Sequence, residues 1–327
     1  MTRATGIGSL PGTDIREAVR EVRDSFTEPD LPYLPELPGR GPGADLVGRT
    51  AGLLAGLAVD LQPAGWRFVD RPGHDASRTR SLWRQDLDEF AEAFDGYAGD
   101  LKIQVCGPWT LAATIELTRG ERALIDDGAT RDVVGSLAEG LRRHLADLQR
   151  LVPDARFVVQ LDEPALPSVL GGSLPTASGF GRVRAVERQR VADGLREVVE
   201  AAGERPAVIH CCHPDVPIPL LRNVSASAVA IDTSLLRPAQ WEALGESIEA
   251  GTRLYAGCLP TDATGTARAA VAGLADRWSR LGLPVATLDD MVVTPACGLA
   301  GLTPDGARSV QRAAREAARE LTDLAHG

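Results

Sequence analysis

Eight short apolar runs recur along the chain, at Ala4–Leu10, Asp30–Pro38, Leu101–Pro108, Ala155–Pro164, Ala207–Cys211, Ala228–Ile231, Thr252–Cys258 and Met291–Thr294, and segments of helical spacing separate them. Strands that alternate with helices pair in parallel, because each crossover helix carries the chain back to the end where the previous strand began. Eight repeats predict an α/β fold, a single (β/α)8 TIM barrel with residues 1–327 as one domain and the active site at the C-terminal strand ends. An open doubly wound sheet is the alternative, since alternation by itself does not close a sheet.

The first helix is expected to start at Thr13 as N-cap and to run through Ile15, Ala18, Val19 and Val22. Further helical spacing covers about Ala44–Leu61, Leu82–Tyr97, Asp132–Leu151, Ala185–Ala202, Pro238–Ala250, Thr264–Leu281 and Pro304–Ala325. Residues 65–80 read as an excursion with His74 in a solvated loop, and His144 is placed on a helix surface. Pro32, Pro35 and Pro38 make the second run an irregular strand, since proline cannot donate to a ladder. The small, polar stretch Ser168–Arg182 reads as a loop lying over a site. Gly6, Gly8 and Gly12 miss the dinucleotide fingerprint by one residue in the last gap, and no Gly-Lys-Ser/Thr follows the glycines near residue 40.

Lys and Arg number 35 against 45 Asp and Glu, a formal charge of −10 that disfavours nucleic acid and anionic membranes and points to a small-molecule substrate. The N-terminus lacks a basic-then-apolar leader, and the best apolar run, Ala51–Val59, is well short of the ~20 residues that span a bilayer, so a cytoplasmic protein is expected. Five cysteines, an odd number with two adjacent, do not form a disulfide framework; clustered with histidine in a reducing compartment, they point to metal binding or catalysis.

The cluster is Pro206–Pro214, where His210, Cys211, Cys212 and His213 follow an apolar run. Positions i and i+2 of a strand share a face, so His210 and Cys212 form a clip while Cys211 points away and His213 lies beyond the end. Zinc favours imidazole and thiolate in tetrahedral array. Cys297, at the end of the eighth run, supplies a third ligand, and Asp232, at the end of the sixth, is the natural fourth. Each alone has a plain structural alternative, a buried thiol or a hydrogen-bonded histidine. Asp162 and Glu163 close another run and point to opposite faces. Both parities of that strand carry apolar residues, so parity leaves open which carboxylate faces the mouth, and capping a helix is the structural alternative for either. Glu36 and Ser9 occupy similar strand ends.

Gly6–Pro11, Gly107-Pro108, Gln160–Ala165, His210–Cys212, Ile231–Ser234 and Thr294–Leu299 together resemble the C-terminal catalytic barrel of cobalamin-independent methionine synthase, in order and over nearly the whole chain. That barrel belongs to a superfamily shared with uroporphyrinogen decarboxylase. The resemblance implies a Zn2+ ion held by His210, Cys212 and Cys297, with Asp232 where the family has glutamate. It further implies homocysteine bound as a thiolate, its amino group met by Asp162 and Glu36 and its carboxylate near Ser9, and methyl transfer to sulfur giving methionine.

Three departures bear on the methyl donor. Asp232 is one methylene shorter than the family's residue; Cys258 stands where the family places a catalytic histidine at the seventh strand end; and the family's N-terminal folate-binding domain is expected to be missing. A methyl-folate amine leaves only when protonated, so these departures open the choice to a methylcorrinoid or corrinoid protein. Two alternatives stand beside the methyltransferase: a uroporphyrinogen decarboxylase-like enzyme, and a non-catalytic zinc- or corrinoid-binding protein.

Overall fold

The computed structural model describes residues 1–327. In chain order the elements are β1 (Arg3–Ala4), α1 (Ile15–Ser25), α2 (Leu46–Ala51), β2 (Ala58–Gln62), β3 (Gly65–Val69), α3 (His74–Ala93), β4 (Asp100–Cys106), α4 (Pro108–Thr114), α5 (Asp127–Leu151) and β5 (Arg156–Asp162). They continue with α6 (Leu166–Gly171), α7 (Arg188–Ala201), β6 (Ala207–Cys211), α8 (Ile218–Arg222), β7 (Ala228–Asp232), α9 (Pro238–Glu249), β8 (Arg253–Leu259), α10 (Ala267–Leu281), β9 (Val292–Pro295) and α11 (Pro304–His326). Seven strands form one parallel curled sheet in the order β1-β9-β8-β7-β6-β5-β4. No helix is long and apolar enough to cross a membrane.

The α/β prediction stands, but the count of regular strands is seven in this sheet rather than eight. The proline-rich run makes single bridges instead of a ladder, Ser9 to Glu36 and Tyr33 to Lys102. Its backbone still bonds to both sheet edges: Leu31 N donates to Ala4 O and Glu36 N to Gly8 O on one side, and Leu34 N donates to Lys102 O on the other. Pro32 and Pro35 have no N–H, which is why the pairing is intermittent.

Two clusters lie on opposite faces of the sheet. Leu31, Val158, Val208, Ala228, Ala230, Tyr255 and Val292 pack together inside its curve, while an 82-residue cluster joins the outer face to the helices. The bulky Tyr255 is paired in register with the small Ala230, so the inner layer fills without overlap. At roughly 1.5–3 kcal/mol for each large apolar side chain buried, the outer cluster supplies most of the drive to fold.

Three helical expectations are corrected. The segment Ala44–Leu61 is not one helix: α2 ends at Ala51, Gly56 adopts a left-handed φ of 76°, and Ala58–Gln62 turns back on Gly65–Val69 as an antiparallel hairpin. α3 accordingly begins at His74, whose side chain is exposed. The N-cap of α1 is Asp14, one residue after the expected Thr13, accepting from Glu17 N.

His144 is buried, contrary to its expected surface position. It shares the stripe of Leu137, Leu141, Leu145 and Leu148 on α5, a helical register that turns it inward. There it meets Trp83 edge-on at a centroid distance of 4.5 Å, and the Arg49 guanidinium covers the Trp83 ring at 3.6 Å. Asp86 pairs with both Arg49 and Arg40. Burial, helped by the Arg49 charge, pushes the His144 imidazole down to about 3. An unfolded chain protonates this histidine near 6.5 whereas the folded chain does not, so the unfolded state takes up the extra proton and stability falls as pH drops through that window. In urea titrations between about pH 6 and about pH 4, His144→Leu is expected to lose stability less steeply than the native chain, by up to about 1.4 kcal/mol per pH unit. Equal slopes would contradict a neutral buried imidazole.

Candidate metal centre

The pleat of the sheet decides which side chains meet. On β5, Val158 faces the inner cluster, so Gln160 and Asp162 face inward too, while Phe157, Val159 and Leu161 belong to the outer core. The strand therefore settles which carboxylate is which. Asp162 faces the concave side of the sheet at the C-terminal end of β5. Glu163, buried at 0% exposure, accepts from Trp109 N (2.9 Å), Thr110 N (2.8 Å) and Thr110 Oγ1 (2.7 Å), capping the first turn of α4. A Cβ on Gly107 would overlap the Glu163 side chain, so only glycine lets this carboxylate reach α4.

On β6, Val208 is inward and His210 and Cys212 follow it, whereas Cys211 packs outward in the main core with its thiol pushed up to about 12 by burial. His210, Cys212 and Cys297 bring their ligand atoms within 4.8 Å of one another. Cys212 Sγ lies 3.2 Å from Cys297 Sγ. The Cys212 S–H hydrogen bond, against the opposing effect of burial, holds Cys297 below the usual thiol range, and nearby His210 acts in the same sense.

His210 Nδ1 is 2.8 Å from Asp162 Oδ1. An ionised carboxylate only accepts, so Nδ1 carries the hydrogen and Nε2 presents a lone pair. Burial opposes charge on this imidazole, but the Asp162 hydrogen bond and charge outweigh it and raise its proton affinity. His210 Nε2 is buried and has no hydrogen-bond partner. An orphaned imidazole nitrogen beside two thiols, its other nitrogen held by a carboxylate, matches the ligand set and outer support of a zinc site.

Around these groups the interior is polar. Gln160 Nε2 donates to Asp162 Oδ1 (2.7 Å) and Ile7 O (2.8 Å), and Lys102 Nζ donates to Gln160 Oε1 and Ile7 O, both at 2.9 Å. Glu36 accepts from Gln104 Nε2 at 3.2 Å. Burial pushes its carboxyl up to about 7; Arg49 opposes the shift and Asp162 adds to it. Ser9 is held close to Cys297: Leu299 N donates to Ser9 O, and a Cβ on Gly298 would overlap Ser9 Oγ.

Two expected residues stand apart. The Asp232 carboxylate accepts from Ser234 N (2.9 Å) and Ser234 Oγ (2.6 Å), and it is not part of the three-ligand group. Cys258 sits at the irregularity between Gly257 and Leu259 on β8, packed against the outer core, with its thiol pushed up to about 12 by burial. That placement speaks against an acid–base role. His213 lies beyond β6 and accepts from Asp215 N. Lys102 and Gln104 were not singled out from the sequence, although polar residues two apart in an apolar strand mark an inward polar face.

Curled parallel strands deliver His, Cys and Cys to one end, above a polar interior, which defines an α/β protein with a cluster able to hold a metal ion. The chain belongs to the family of cobalamin-independent synthase catalytic domains, whose model matches residues 1–320. Membership assigns it methyl transfer to homocysteine. The B12-independent methionine synthase of Shewanella sp. W3-18-1, solved with selenomethionine, aligns over 99% of this chain and 98% of its own, at TM-score 0.65 and 12% identity, a likeness of fold. GH5_18 from Streptomyces cattleya, solved with Manb1-4GlcNAc, aligns over 100% of this chain and 80% of its own at TM-score 0.45 and 16% identity. No curated protein sequence matches.

The separate duties of the paired carboxylates are testable. Glu163→Ala strands buried amides of α4 and is expected to cost about 2–4 kcal/mol of unfolding free energy, read by urea denaturation. A loss below about 0.5 kcal/mol would contradict the capping role.

Proposed function

We propose that this chain is a zinc-dependent methyltransferase that moves a methyl group to the sulfur of homocysteine, yielding methionine, and that it works as one barrel unit over residues 1–327. The observation that carries the metal half of this reading is the buried His210 imidazole, grouped with the Cys212 and Cys297 thiols and with its Nε2 left without a hydrogen-bond partner. Backbone bonds from the Leu31–Glu36 segment to both sheet edges support a closed barrel with that segment as an irregular eighth strand. Free thiols throughout fit a reducing, cytoplasmic setting.

His210, Cys212 and Cys297 would hold the ion. Bound zinc lowers a thiol's pKa, so a nucleophilic thiolate exists at neutral pH. Asp232, engaged by Ser234, leaves the fourth position to the substrate sulfur. Asp162 commits Oδ1 to His210 and Gln160, and no protein group bonds its Oδ2, which suits an ammonium shared with Glu36. Ser9, beside Gly298, would meet the substrate carboxylate. This arrangement orients the sulfur and holds the amino acid at both ends, which accelerates transfer by fixing the reacting atoms. As the donor we propose a methyl-folate, because the family is cobalamin-independent; no feature of the site favours a corrinoid partner.

The purified protein is expected to carry about one zinc, lost in His210→Ala and Cys297→Ser but kept in Cys211→Ala, as read by metal analysis. Full occupancy in the first two would refute this ligand set. Glu36→Gln is expected to weaken homocysteine binding roughly tenfold by calorimetry with zinc unchanged, since hydrogen bonds to charged groups contribute about 1.5–3 kcal/mol. Because the Glu36 carboxyl ionises near 7, binding strengthens as pH rises through that value, and the substitution flattens this part of the dependence. Methyl-folate and methylcobalamin offered separately identify the donor, and turnover of neither would leave a zinc-binding protein without methyl transfer.

A further inference from the structure

Lys102 is fully buried on β4, an unusual position for an ammonium, and nothing in methyl transfer requires it. Its Nζ donates to Gln160 Oε1 and Ile7 O, both at 2.9 Å, with the Tyr33 ring 5.2 Å away. An ammonium only donates, so it can meet Gln160 only at the amide oxygen. The Gln160 amide is thereby oriented, and Nε2 is the atom that faces Asp162 Oδ1 at 2.7 Å and Ile7 O at 2.8 Å. Asp162 Oδ1 in turn accepts from His210 Nδ1 at 2.8 Å. With Lys102 as an ammonium every link has one direction, because the chain then begins at a group that cannot accept and runs through a carboxylate that cannot donate.

We propose that Lys102 is a positioning residue for the metal centre: acting through Gln160 and Asp162, it sets the hydrogen on His210 Nδ1 and so directs the Nε2 lone pair towards the metal. The inference rests on the zinc reading of the site. Without the lysine the Gln160 amide keeps Ile7 O and Asp162 Oδ1 as acceptors but loses the bond that anchors its oxygen, so the side chain can shift and carry Asp162 with it. The carboxylate would move or lose its partner, and the imidazole would no longer be held in one tautomer. Ile7 O receives both Lys102 and Gln160, so the same ammonium also ties the segment leading to Ser9 against β5. Burying an ammonium is costly, and replacing buried ionic groups by apolar ones of similar size is often neutral or stabilising; a lysine kept only to support the fold would be a poor choice here.

The test compares Lys102→Met, Gln160→Met and the native chain by two readouts. Imidazole 15N NMR of the metal-free proteins reports the His210 tautomer, and competition with a chromophoric chelator reports zinc affinity. At a pH high enough to keep the imidazole neutral, the native chain is expected to show the Nδ1–H tautomer alone. Both variants are expected to show mixed tautomers and zinc affinity about tenfold weaker, the scale on which loss of a group supporting a metal ligand is felt. Lys102→Met also strands Gln160 Oε1, so a lower melting temperature is expected; the tautomer ratio, which a merely structural role would not move, separates positioning from fold support. Ser247→Ala, which removes a buried hydroxyl bonded to Ala243 O within α9, is expected to change neither readout. If Lys102→Met retains the single tautomer or native zinc affinity, the proposal is overturned; should that variant not fold, Gln160→Met decides by the same criteria. Failure of the native chain to bind zinc would count against the zinc reading, and the tautomer comparison would then decide the role of Lys102 alone.

Discussion

The alternation of side chains along parallel strands governs this molecule. Once the sheet curls, every second residue is committed to a narrow interior shared by all the strands, and residues two apart on one strand become neighbours of residues two apart on the next. Val158, Gln160 and Asp162 on β5 run beside Val208, His210 and Cys212. The lower, apolar members fill the concave side of the sheet. The upper, polar ones line the mouth, where the chain is free to leave the sheet and where Cys297 arrives from the segment after β9.

A polar interior of this kind is stable only when its charges and hydrogen-bonding groups satisfy one another. Lys102, Gln160, Asp162 and His210 are joined by successive hydrogen bonds, and Gln104 bridges Glu36 to the backbone of Leu34. Burial drives Lys102 down and Glu36 up, each to about 7, so both groups titrate near neutral pH. A bound amino acid bringing an ammonium between Glu36 and Asp162 would favour both carboxylates in their charged state. Binding and the protonation of the site are therefore linked.

Much of this was legible in the sequence because the signals were periodic. The His210-x-Cys212 spacing, the outward turn of Cys211 and the delivery of Cys297 from the last strand follow from strand geometry, and the structure brings those three residues together. What escaped was set by contacts between elements. Parity could not separate Asp162 from Glu163, because both faces of β5 are buried, one against the barrel interior and one against helices. His144 looked like a surface residue until α5 packed against Trp83. The hairpin Ala58–Val69 was hidden in a run of Ala, Leu and Gly whose helical spacing ends at Gly56, and the proline-rich second strand bonds to its neighbours only where an N–H is available.

Zinc K-edge X-ray absorption on the protein, with and without homocysteine, tests the account most directly, because it counts the atoms around the ion. Two sulfurs at about 2.3 Å with one imidazole nitrogen at about 2.0 Å are predicted at rest, rising to three sulfurs when homocysteine is added. A shell made of oxygen and nitrogen alone, or a sulfur count unchanged by homocysteine, would contradict the assignment of His210, Cys212 and Cys297 as a zinc centre that takes the substrate thiolate.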